Sequence, residues 1–125
     1  MSNRVVHFEI PSDNPEKCAG FFTEVFGWKF RQFGDSPYLL ATTGDENELG
    51  INGAIMQKVG QGQPIINTIS VENIDETMVH IENAGGKIVK LKRAIPTIGW
   101  LAFFADPDGN IHGVMQNYCE QGNEF

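Results

Sequence analysis

Hydrophobic and polar residues follow two periods along this chain, and the two periods alternate in an order that occurs twice. Over residues 15–26 the apolar side chains recur every three or four positions, which is typical of one face of an amphipathic helix. Asn14 and the proline after it can start this helix, and Gly27 can end it. The same signals predict a second helix that follows Asn73 and ends at Gly85.

Segments that alternate between apolar and polar residues surround these helices and predict eight strands. The predicted strands cover residues 4–10, 28–33, 37–43, 51–58, 64–71, 87–93, 99–105 and 111–116. Each half of the chain therefore has the order βαβββ, and the second copy is displaced by about 60 positions. A chain of 125 residues is long enough for one core but not for two independent domains. We predict a single α+β domain over residues 1–125, made of tandem modules at about 1–60 and 61–125.

Composition and charge narrow the classes of partner. The net charge of −7 disfavours a nucleic-acid backbone, and no apolar segment approaches the length of a membrane span. The first residues lead directly into a strand pattern without the apolar stretch of a secretion signal. Cys18 and Cys119 have no spacing typical of a metal or redox site, so we expect a cytoplasmic protein.

The first predicted strand carries the residues with the clearest chemical potential. Alternation places Val6, Phe8 and Ile10 on one face, which suits contact with the helix, and it places His7 and Glu9 on the other. Two ionisable groups among hydrophobic neighbours favour a partly hydrated cavity. Alignment of the two halves places Asn67 opposite His7. Alternation puts Gly53 and Gly113 at equivalent inward positions, and it puts Trp100 and Phe104 on one strand face. Tyr38 and Met115 complete the expected ligand-binding set.

The order of these features resembles a known family. The two βαβββ modules, the Asn-Pro helix start, the stretches FTEVFGW and NAGGKIV, and the turn DPDGN are similar to the glyoxalase, bleomycin-resistance and extradiol-dioxygenase superfamily, also called the vicinal oxygen chelate fold. The resemblance spans nearly the whole chain and extends to short bacterial proteins related to lactoylglutathione lyase. It implies a curved eight-stranded mixed sheet around a small-molecule cavity.

The resemblance also implies where a metal would bind. In metal-dependent members, the first and last strands of each module each supply one His, Gln or Glu ligand. The corresponding positions here are His7, Gly53, Asn67 and Gly113. Because only His7 is a good ligand for a divalent transition metal, we expect no metal and no other cofactor. The alternative is a metal held by His7 together with Glu9, or with His112 turned inward by a bulge.

Two functions follow as expectations. The first is a metal-free module that binds a small organic molecule, with His7, Glu9 and Asn67 at its polar end and Trp100 and Phe104 as an aromatic wall. The second is a lyase, isomerase or dioxygenase-type enzyme that uses His7 as a base or metal ligand and Glu9 to orient it.

Simpler structural roles remain open for the same residues. The glycines can permit close approach of strands, Trp100 and Phe104 can fill a core, and Tyr38 can form a hydrogen bond within the sheet. We expect a homodimer, a small-molecule ligand, and neither nucleic acid nor membrane as partner.

Overall fold

The computed structural model describes residues 3–118 and divides them into two compact units. Residues 6–66 form the first module, and residues 67–118 with 3–5 form the second. Each module has the order βαβββ, so the predicted α+β class and the repeat of the module are confirmed. Cys119 lies outside the described residues. The prediction of a single domain stays a prediction.

The elements of the first module are close to those expected from the sequence. They are β1 (Arg4–Ser12), α1 (Pro15–Phe26), β2 (Lys29–Gln32), β3 (Tyr38–Thr42) and β4 (Gly53–Gln57). The strand order is β2-β3-β4-β1, in which β1 and β4 are parallel and the other pairs antiparallel. The strands of this module therefore pair in a mixed arrangement, in which β1 and β4, its first and last strands along the chain, are neighbours.

The second module repeats this arrangement. Its elements are β5 (Ile66–Ser70), α2 (Ile74–Asn83), β6 (Lys87–Ile95), β7 (Gly99–Ala105) and β8 (Ile111–Asn117). Within the module β5 pairs in parallel with β8, and β8, β7 and β6 follow as antiparallel neighbours.

The predicted caps fix the start of each helix. Asn14 accepts a hydrogen bond from the Lys17 amide at 3.2 Å, and Asn73 accepts one from the Glu76 amide at 3.0 Å. Gly27 adopts a φ of 77°, the left-handed conformation that ends α1. The local sequence thus sets both helix starts. Neither helix in residues 3–118 is long and apolar enough to cross a membrane.

Each helix covers one face of its own sheet. In the first module Phe22 of α1 stacks on Trp28, with 4.6 Å between the ring centroids. The Trp28 ring also packs against Phe8 of β1, with 5.7 Å between the centroids. In the second module the fully buried Ile74 of α2 and Val114 of β8 belong to the central cluster. The opposite face of each sheet is left for other contacts.

The last strand of each module is tied to the start of its helix by a glutamine. The Gln57 side-chain amide donates to the Asp13 carbonyl at 3.2 Å, immediately before α1. In the second module the Ile74 amide donates to the side-chain oxygen of Gln116 at 2.9 Å. The two glutamines therefore identify equivalent positions, which are 59 residues apart.

Candidate functional site

A hydrogen-bonded trio of side chains lies on the face of the first module opposite α1. The Tyr38 hydroxyl donates to Glu9 Oε2 at 2.6 Å, and His7 Nε2 lies 2.9 Å from the Tyr38 oxygen. His7 and Glu9 themselves are 4.0 Å apart. The His7 and Glu9 side chains are 25% and 17% exposed, so the network is mostly shielded but keeps some contact with solvent.

Strand register brings these side chains together. His7 and Glu9 alternate along β1, and Glu9 pairs with Ala54 of β4, which in turn pairs with Leu40 of β3. Cross-strand partners point to the same face, and Tyr38 is two residues from Leu40. The phenol therefore crosses over β4, where the small side chain of Ala54 leaves room for it.

The hydrogen bonds of the trio determine which atoms of Tyr38 and His7 carry protons. A carboxylate can only accept, so the single hydroxyl proton of Tyr38 is committed to Glu9. The Tyr38 oxygen then accepts from His7, which requires the proton of the neutral imidazole to be on Nε2. His7 Nδ1 is left as the acceptor that can meet a ligand.

Burial and charge act in opposite directions on His7. Burial lowers the pKa of the imidazole below its usual 6.5, and the negative charge of Glu9 only partly offsets this effect. His7 is therefore neutral at neutral pH. Because the unfolded chain binds this proton more readily, protonation of His7 reduces the free energy of unfolding as the pH falls below about 6.5.

Tyr38 is held in its protonated form. Burial, the charge of Glu9 and the hydrogen bond to that carboxylate all raise the pKa of the phenol well above its ordinary value of 10.0. The phenol therefore stays a donor to Glu9 throughout the physiological range.

Gly53 lies on the other face of the sheet, which corrects the sequence-based assignment. It pairs with Phe8, and Phe8 belongs to the aromatic group under α1. A Cβ atom at position 53 would lie 2.5 Å from the Phe8 ring and 2.5 Å from the Phe8 carbonyl oxygen. The glycine is needed for this close approach. It does not mark the former position of a ligand side chain beside His7.

The cause of this error is a shift of one residue between the modules. The paired caps and the paired glutamines are both 59 positions apart, whereas the alignment from sequence used about 60. A one-residue shift moves every side chain of a strand to the opposite face. With the offset of 59, His7 corresponds to Ile66, Glu9 to Thr68, and Ala54 to Gly113.

Three other predicted site residues lie on the helix face of the second module. Trp100 and Phe104 pack against the core cluster beneath α2, and alternation from Ile69 places Asn67 on that same face. Lys92 also covers the Trp100 ring, with its Nζ 4.9 Å from the ring centroid. The predicted aromatic wall is therefore part of a core.

Gly113 and Met115 share the opposite face of the second module, as alternation along β8 predicts. Gly113 pairs with Thr68, and a Cβ atom there would lie 2.9 Å from the Thr68 hydroxyl oxygen. Their roles in binding stay predictions.

A second polar cluster organises the turn between β7 and β8. The Asp106 carboxylate accepts from the amides of Asp108 and Asn110, each at 3.0 Å, and from His112 Nε2 at 2.9 Å. The His112 ring stacks on Phe104 at 5.1 Å. His112 is thus part of the turn and the helix face, and it is not turned toward Gly113.

These hydrogen bonds predict an acid-sensitive turn. The bond from His112, followed by those from Asn110 and Asp108, lowers the pKa of the Asp106 carboxyl below its usual 3.8. A depressed folded-state pKa contributes stability that is present above pH 3.8 and is lost at lower pH. We expect Asp106→Asn to reduce the acid dependence of the melting temperature between about pH 4 and pH 2. Asp108→Asn, from the same turn, is the control. If the melting temperature of Asp106→Asn falls between about pH 4 and pH 2 as much as that of the wild type, Asp106 is not the source of the acid sensitivity.

The first module does not by itself fit a divalent metal. The potential metal ligands of the trio are His7 and Glu9, and each has one ligand atom in a hydrogen bond with the Tyr38 hydroxyl. The neighbouring position on β4 is Ala54, which has no ligand atom. Across residues 3–118 no three His, Cys, Asp or Glu side chains converge, whereas a transition-metal site uses at least three protein ligands. The absence of a metal requirement stays a prediction.

Solved structures confirm the fold. A hypothetical protein from Bacillus halodurans C-125 superposes with a TM-score of 0.69 at 13% identity, over 98% of this chain and 100% of its own. A glyoxalase/bleomycin resistance protein/dioxygenase superfamily member from Vibrio splendidus 12B01 gives 0.66 at 17% identity, over 92% and 99%. Methylmalonyl-CoA epimerase from Mycobacterium tuberculosis gives 0.66 at 12% identity, over 94% and 89%.

Among curated proteins, none is significantly similar to this chain in sequence. The family model described as the glyoxalase/bleomycin resistance protein/dioxygenase superfamily matches residues 4–112, which is most of the chain. The chain therefore belongs to the glyoxalase/bleomycin resistance protein/dioxygenase superfamily.

Proposed function

We propose that this protein binds a small organic molecule on the open face of the first module, without the metal expected in the metal-dependent members of the superfamily. The polar end of the ligand meets His7 and Glu9, and its apolar part lies over the half-buried Leu40 and Met56. The observation that carries the proposal is the trio of His7, Tyr38 and Glu9, whose hydrogen bonds are satisfied before any ligand arrives.

Preorganisation makes this trio suited to binding. A ligand that meets His7 Nδ1 does not have to displace an internal hydrogen bond, since Nε2 is the atom used by Tyr38. Groups held in place before binding lose little conformational entropy when the ligand arrives. The surrounding apolar side chains are half-buried or buried, which gives the polar groups a partly dehydrated environment.

A second candidate is proton transfer at a carbon next to a carbonyl group. The neutral imidazole with a free Nδ1 favours it, because this is the form of histidine that acts as a general base. The Glu9 charge, relayed through Tyr38, would stabilise the imidazolium formed when His7 takes the proton. Such an enzyme would have to stabilise an enolate without a metal ion, which makes binding alone the better supported function.

One substitution tests both candidates. We expect His7→Ala to weaken binding of a small-molecule ligand found by thermal-shift screening by about tenfold, because it removes the acceptor at the polar end. Titration calorimetry measures the affinity, and exchange of the ligand's α-hydrogen in D₂O, followed by NMR, measures proton transfer. His80→Ala, on α2 of the second module, is the matched control.

The outcomes of this test are distinct. Loss of affinity with no exchange in the wild-type protein supports the binding module. Exchange that is present in the wild type and lost in a variant that still binds supports the enzyme. Unchanged affinity and unchanged exchange in His7→Ala would place the ligand elsewhere and end the proposal.

The assembly and location of the protein are part of the same proposal. We propose a homodimer, as the resemblance implies, in the cytoplasm. Light scattering coupled to gel filtration measures the mass against the 13.9 kDa of one chain.

A further inference from the structure

Two cationic side chains stand on the same open face as the trio, at the edge of the first module. Arg31 of β2 pairs with Leu40, which pairs with Ala54, which pairs with Glu9. Because cross-strand partners share a face, these side chains form one row across four strands. Lys29 lies two residues from Arg31 and so projects from the same face of β2.

The positive and negative side chains of this row lie at its opposite ends and do not pair with each other. Within residues 3–118, no carboxylate lies within 4.0 Å of Lys29 or Arg31, whereas Lys58 and Lys92 are each paired with an aspartate. The acidic end of the row is Glu9, which is three strand spacings away, or about 14 Å between Cα atoms. Arg31 is therefore a free guanidinium, a group whose geometry matches a carboxylate in two parallel hydrogen bonds.

The middle of the row is apolar. Leu40 lies next to Arg31, the buried Ala54 is crossed by the Tyr38 side chain on its way to Glu9, and Met56 is two residues from Ala54 on the same strand face. Leu40 and Met56 are half-buried, so each retains some surface that a ligand can cover. Burial of this surface favours a hydrocarbon body between the two polar ends.

The polarity of the row sets the orientation of a ligand. The negative charge of Glu9 repels an anion, and His7 Nδ1 presents an acceptor, so this end requires a hydrogen-bond donor. The Arg31 end requires an anion. We infer that the ligand is a small organic carboxylate with an apolar body and a donor group at its far end. This inference rests on the proposed function and specifies the class of molecule that the site binds.

Matched acids and amides test this inference on the full-length protein. The probes are ω-hydroxybutanoate, ω-hydroxyhexanoate and ω-hydroxyoctanoate, each with its primary amide, and calorimetry measures their affinities. We expect the wild-type protein to prefer the acid of the best-fitting pair by about tenfold. Arg31→Gln loses most of this preference and still binds the amide. Lys17→Gln, which removes the same charge from α1, keeps it.

The results separate the inference from the function on which it rests. Equal affinity for acid and amide in the wild type, or a preference that survives Arg31→Gln, overturns the carboxylate inference and leaves small-molecule binding intact. Failure of every pair to bind overturns the inference and also counts against binding on this face. A preference lost in both Arg31→Gln and Lys17→Gln reflects net charge alone and overturns the role of Arg31.

Discussion

Gly53→Ala is expected to destabilise the protein by about 2–3 kcal/mol, the cost of forcing an extra methyl group into a packed position. The new Cβ atom would lie 2.5 Å from both the ring and the backbone oxygen of Phe8. The backbone oxygen is fixed by the parallel pairing of β1 with β4, so rotation of the Phe8 ring alone cannot relieve the contact. Urea denaturation of the purified variant measures the effect.

Gly20→Ala is the matched control because the two substitutions differ only in their surroundings. A Cβ atom at Gly20, on the exposed side of α1, would meet no atom within 4 Å. Alanine is favoured over glycine in a helix, so this variant should gain up to about 1 kcal/mol. Equal stability of Gly53→Ala and the wild type would show that the aromatic group under α1 adjusts easily, and position 53 would then tolerate a side chain.

Tyr38→Phe is expected to reduce stability by about 2 kcal/mol, because it removes a hydrogen bond to a charged, shielded partner. Its second effect separates this role from simple packing. With the bridging hydroxyl absent, the Glu9 carboxylate and His7 interact directly, so the pKa of His7 should rise relative to the wild type. NMR titration of the imidazole resonances measures this change, and His7→Ala identifies the relevant signal.

Tyr118→Phe provides the comparison for this variant. Tyr118 packs edge-on against Trp100 at 5.9 Å and lies in the other module. Its substitution should leave the His7 titration unchanged. A Tyr38→Phe protein with wild-type stability and a wild-type His7 titration would mean that the hydroxyl does not couple His7 to Glu9.

Most of the fold could be predicted from the sequence because its signals are local. Asn14 and Asn73 sit next to the helices they cap, and their hydrogen bonds form within one turn. Strand positions were also predicted to within two residues: β1 and β6 extend two residues further, to Ser12 and Ile95, and β4 and β5 start two residues later, at Gly53 and Ile66. The alternation of side chains along a strand can be predicted without knowing which strands pair with it.

The candidate site was harder to predict because it depends on register between distant strands. His7 and Glu9 share a face by alternation alone, and that pair was predicted. Tyr38 reaches them only because β3 pairs with β4 and β4 with β1, and these pairings are not contained in any local pattern. The role of Tyr38 as the bridge was therefore missed.

The largest errors arose from comparing the modules one residue out of step. That shift does not disturb the order of elements, but it reverses the face of every strand residue. In this way Asn67 was set beside His7, and Gly53 was matched with Gly113, although Asn67 and Gly53 each lie on the helix face of their own module. The helix caps already carried the correct spacing, because Asn14 and Asn73 are 59 positions apart.

The paired glutamines at the ends of the last strands have an evolutionary consequence. Gln57 uses its amide nitrogen to hold the chain before α1, whereas Gln116 uses its amide oxygen to hold the first residue of α2. Because the glutamine side chain can both donate and accept, the same residue type joins strand to helix in each copy although the hydrogen bond runs in opposite directions. A common ancestor of the two modules therefore needs no change of residue at this position, whereas His7 and Glu9 correspond to Ile66 and Thr68 on the open faces.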